Sequence, residues 1–72
     1  MTIRQAETIV SLVKNNLNMR ATARDMFVHY HTVIYNIKMI RRNTGLNPLD
    51  IVDLAELFRK ANAVLGGDHD ND

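Results

Sequence analysis

The sequence predicts an all-α domain of four helices built around a helix-turn-helix. Three observations lead there. Apolar residues recur at helical spacing almost throughout the chain. A short helical segment and one about twice as long are separated by only about three residues. With 72 residues there is room for one domain and no more.

The elements follow in order. Ala6, Ile9, Val10, Val13 and Leu17 fall at i, i+3, i+4, i+7 and i+11, one face of a helix expected over about residues 3 to 16. Asn15, Asn16 and Asn18 then disfavour helix and favour a turn. A second, short helix is expected over about 20 to 26. Ala21, Thr22, Ala23 and Arg24 open it, and Met26 with Phe27 ends it on apolar residues. Asn18 is available as its cap. Val28, His29 and Tyr30 break the helix, because β-branched and ring-bearing residues extend a short helix poorly.

A third helix is expected over about 30 to 43, capped by His29, with Val33, Ile37 and Ile40 on one face. Arg41 and Arg42 sit in its last turn, where cations complement the helix dipole, and Gly45 suits the left-handed position beyond it. Asn47 reads as the cap of a fourth helix over about 48 to 64, with Pro48 at its first position and Asp50 in its first turn. That helix is expected to bury some of Leu49, Val52, Leu54, Ala55, Leu57, Phe58 and Ala61, and to stop at Gly66-Gly67. Residues 1 to 65 therefore form the domain, and residues 66 to 72 are expected to be an acidic, disordered tail.

Composition narrows the function. There is no cysteine, so neither a disulfide nor a thiolate metal site is available. The start is charged within a few residues, unlike a signal peptide, and nothing approaches the roughly 20 apolar residues of a membrane span. The expected location is the cytoplasm, with no membrane partner. Net charge is only +1, but it is unevenly spread. Between residues 20 and 44, Arg20, Arg24, Lys38, Arg41 and Arg42 stand against Asp25 alone, a net +4. Asp50, Asp53 and Glu56, then Asp68, Asp70 and Asp72, make the C-terminal part acidic. Such asymmetry is the footprint of a polyanion-binding face.

The third helix carries that face. Opposite Val33, Ile37 and Ile40 lies a ridge of His31, Tyr35, Lys38 and Arg42, flanked by Tyr30, Ile34 and Arg41 on one side and Thr32 and Asn36 on the other. Hydrogen-bonding rings, a hydroxyl, an amide, one apolar side chain and three cations suit a DNA major groove, which displays donors, acceptors and thymine methyls. Tyr30, His31, Ile34 and Tyr35 are expected to read bases. Thr32, Lys38, Arg41 and Arg42 are expected at the DNA backbone, with Arg20, Thr22 and Arg24 from the second helix. Ala23 is the small residue where the two helices touch, and Val28 plugs the turn. His29 and His31, two residues apart, should point in different directions, which argues against a shared metal.

Taken together, Ala21-Thr22-Ala23-Arg24, Phe27-Val28-His29, Thr32-Val33, Tyr35 and Thr44-Gly45-Leu46 resemble a known family. It is the Fis-like C-terminal helix-turn-helix of the PucR and CdaR (purine and sugar-diacid regulator) type of bacterial transcription factor. The resemblance covers about residues 8 to 65. It implies sequence-specific binding of double-stranded DNA as part of a transcriptional regulator. This chain has Tyr30 and His31 where the family usually has arginine and asparagine, and Ile34 and Asn36 where it usually has arginine. Its target is therefore expected to be its own.

No enzyme is expected, since no nucleophile with a base, carboxylate pair or phosphate-cradling glycine loop is evident. Nor is a cofactor, a metal or a small-molecule ligand expected. Homodimerisation remains open, with the fourth helix either closing the core or joining two copies. The alternative function is a helical protein-interaction or dimerisation module without DNA binding.

Overall fold

The computed structural model describes residues 1–66. Within them lie four helices: α1 (Ile3–Lys14), α2 (Met19–Met26), α3 (Tyr30–Thr44) and α4 (Ile51–Gly66). The all-α reading holds, and three of the four helices begin within a residue of expectation.

Each boundary has a local cause. Thr2 and Gln5 form a reciprocal capping box, with the Gln5 N–H donating to Thr2 Oγ1 at 3.0 Å and the Thr2 N–H to Gln5 Oε1 at 3.1 Å. α1 stops two residues earlier than expected because Asn16 (φ 53°) and Leu17 (φ 67°) are both left-handed. Leu17 therefore leaves the helix yet still packs on the core. Asn18 caps α2, its Oδ1 accepting from the Ala21 N–H at 2.9 Å. His29 is the N-cap of α3 by backbone position only, with no side-chain cap bond. Gly45 closes α3 with φ 77°, as its position suggested.

The start of α4 is a correction. Asn47 and Pro48 belong to a turn before the helix, in which the Asp50 N–H donates to the Asn47 carbonyl at 3.0 Å and Asn47 Oδ1 accepts from the Leu49 N–H at 3.0 Å. The cap role falls to Asp50, whose Oδ2 accepts from the Asp53 N–H at 3.1 Å. Pro48 is buried beneath this turn rather than opening the helix. Gly66 is still helical, whereas Gly67 and the rest of the expected acidic tail lie outside the described residues.

The core combines Ala6, Ile9 and Leu12 of α1 with Ala23 of α2, Val33, Ile37 and Ile40 of α3, and Leu54, Leu57 and Ala61 of α4. α1 is the central strut and approaches all three other helices, while α4 approaches α1 alone. The helix-turn-helix thus sits on one side of α1 and α4 on another. Leu49, Val52 and Ala55, three candidates for burial on the fourth helix, are exposed.

Candidate nucleic-acid interface

α2 and α3 are joined by Phe27, Val28 and His29. Ala23 is buried where the two helices meet, and Val28 is half-buried against the core. Burial of Val33, Ile37 and Ile40 fixes which side of α3 faces away. On that outward side His31, Thr32, Tyr35, Lys38, Arg41 and Arg42 are exposed, and Tyr30 and Ile34 are half-buried at its edge.

The start of α3 is ordered by ring contacts. The Arg20 guanidinium lies over the Tyr30 ring, 4.3 Å from its centroid, so α2 braces the first residue of α3. Tyr30 meets His31 edge-on at 5.7 Å between centroids. His29 and His31 are stacked at 6.0 Å with an interplanar angle of 16°. Divergence was expected of this pair, and it fails because His29 is the extended N-cap residue, outside the helical spiral.

Two placements on the expected face need correction. Thr22 is fully buried and donates its hydroxyl proton to the Asn18 carbonyl at 2.8 Å, so its side chain is withdrawn from a DNA backbone. Asn36 is buried too, its Nδ2 donating to Thr8 Oγ1 at 3.1 Å, while that hydroxyl donates to the Arg4 carbonyl at 2.8 Å. α1 covers this edge of α3, and the Thr8 partner satisfies an amide that would otherwise be costly to bury.

Electrostatically the face is strongly biased. Among the described residues the ion pairs are Arg4–Glu7 at 3.8 Å and Lys60–Glu56 at 3.9 Å. Arg20, Arg24, Lys38, Arg41 and Arg42 pair with no carboxylate there. Asp25, the acid nearest them in sequence, instead accepts from Asn15 Nδ2 at 2.8 Å. Its orientation toward the end of α1 leaves the cations free to meet a polyanion.

Phe27, assigned to the apolar end of α2, is 94% exposed and left-handed (φ 56°, ψ 44°). It borders an open cleft of about 700 Å³, lined also by Arg20, Arg24, Val28 and Tyr30.

The helix pair, its short turn and its unpaired cations define a helix-turn-helix domain of the kind found in DNA-binding regulators. Residues 5–63 match the family described as the PucR C-terminal helix-turn-helix domain, and the chain belongs to that family. No curated protein and no solved structure gives a significant match.

Proposed function

We propose that this domain binds double-stranded DNA sequence-specifically, as the DNA-binding part of a transcriptional regulator, with α3 in the major groove. One observation carries the reading. The buried stripe of α3 turns His31, Tyr35, Lys38 and Arg42 outward together, beside cations that no carboxylate of the described residues neutralises. Tyr30, His31, Ile34 and Tyr35 read base edges. Thr32, Lys38, Arg41 and Arg42 hold phosphates, joined by Arg20 and Arg24 of α2.

Salt dependence of duplex binding tests this. Each neutralised phosphate contributes about −0.9 to the log–log slope, so five engaged cations give a slope of about −4 to −5. Flat binding between about 50 and 200 mM salt refutes the reading. Selection of bound sites from random duplexes then yields the target.

A second reading, pairing of two copies through α4, complements the first. Ile51 and Val52 are 67% and 73% exposed on a helix that approaches only α1. The charge pattern is self-complementary: Asp50 begins the helix, and Arg59, two turns on, has no carboxylate partner among the described residues. Antiparallel packing about Ala55 brings Arg59 of one copy beside Asp50 of the other and buries Ile51 and Val52. A concentration-dependent dimer in sedimentation that Val52→Asp abolishes supports it. A strictly monomeric chain excludes it.

A further inference from the structure

Phe27 occupies a backbone conformation that glycine adopts without penalty and a ring-bearing L-residue does not. The same chain meets the same demand at the end of α3 with Gly45, φ 77°. At the end of α2 it places a phenylalanine that is 94% exposed. A lone exposed apolar side chain is ordinary on a protein surface. An exposed one held in a strained backbone is not, because the fold gains no burial to offset the strain. The reason for Phe27 therefore lies outside the folded chain.

What surrounds it indicates the ligand. The cleft beside Phe27 is lined by two arginines, Arg20 and Arg24, by His29, and by Ala23, Val28 and Tyr30. Among the described residues no carboxylate lines it. Such a site fits a group anionic on one side and apolar on the other. Arg20 also rests on Tyr30, the first residue of α3, which lines the cleft and stands at the edge of that helix's outward face. We infer that this cleft is a subsite for one sugar–phosphate unit of the DNA backbone, with Phe27 packed on the deoxyribose and Arg20 and Arg24 holding the phosphate. The inference rests on the DNA-binding reading above. It makes Phe27 a source of affinity for any duplex rather than of base preference.

The Phe27→Gly variant separates this role from a structural one. Relief of the left-handed strain leaves its Tm equal to or above that of the parent chain. Loss of the apolar contact weakens binding to all duplexes about fivefold. Since no charge is removed, the salt slope stays unchanged, whereas Arg24→Ala lowers its magnitude by about one. Phe27→Trp, which keeps an aromatic face, retains most of the affinity. Undiminished binding by Phe27→Gly overturns the inference, as does a large fall in its Tm. A changed site preference also overturns it, because the ring would then touch a base. If the parent chain itself shows no salt-dependent duplex binding, the DNA-binding reading falls first. If the parent binds and Phe27→Gly binds equally well, only the subsite falls.

Discussion

Asn36 and Phe27 exchange the places their chemistry would suggest. An amide of α3 is buried against α1, and a phenylalanine stands in solvent. Thr8 makes the first possible by accepting from Asn36 Nδ2 across 28 residues of sequence. Asn36→Ala should therefore cost about 1–3 kcal/mol, read from chemical denaturation, whereas an exposed amide would cost almost nothing. The outward residues behave differently. Lys38→Ala and Arg42→Ala should each weaken binding to every duplex and reduce the salt slope by about one, with little change in Tm. Tyr30→Ala and His31→Ala should instead alter the selected site, and an unchanged motif in both variants would remove their base-reading role. Most of these side chains were legible from the helical period alone, because Val33, Ile37 and Ile40 define an inward stripe and so an outward one. Asn36 was not, since its partner lies on another helix. Thr22 was misplaced because its bond to the Asn18 carbonyl draws the hydroxyl inward.

At the scale of the elements, boundaries follow backbone chemistry that is only partly written in residue types. Gly45 is predictable, and beyond its two chain neighbours no residue comes within 4 Å of where its Cβ would stand. Gly45→Ala should thus cost about 1 kcal/mol from the left-handed backbone alone, measured as a fall in Tm with DNA affinity unchanged. A much larger loss would mean that the end of α3 is packed more tightly than this geometry allows. α4 was harder to delimit. Asn-Pro-Leu-Asp contains two residues able to cap a helix, and sequence favoured the one that puts proline at the first helical position. The fold chose Asp50, because Asn47 is already engaged in a turn. The Asn47 N–H donates to Asp53 Oδ2 at 2.9 Å, and Pro48 is tucked into the interior.

Across the whole molecule, α1 holds the domain together, with α4 on one side and the helix-turn-helix pair on another. A domain of this size has a stability of only a few kcal/mol. Leu57, fully buried against α1, should cost about 2–5 kcal/mol on truncation to alanine. A melt followed by circular dichroism should then show Leu57→Ala largely unfolded near 37 °C, with DNA binding lost for that reason alone. Retention of a cooperative melt close to the parent Tm would show that α4 contributes little to the fold.

By itself the sequence determined the helical class, the short turn of the helix-turn-helix, the inward stripe of α3 and the placement of Gly45. Each of these depends on local spacing or on the conformational freedom of a single residue. Tertiary structure decided what depends on contacts between distant segments. It buried Asn36 and Thr22, stacked His29 on His31, left the cations of α2 and α3 without a carboxylate partner among the described residues and moved the cap of α4. It also left Phe27, the left-handed residue that ends α2, exposed to solvent, where spacing along the chain says nothing of its surroundings.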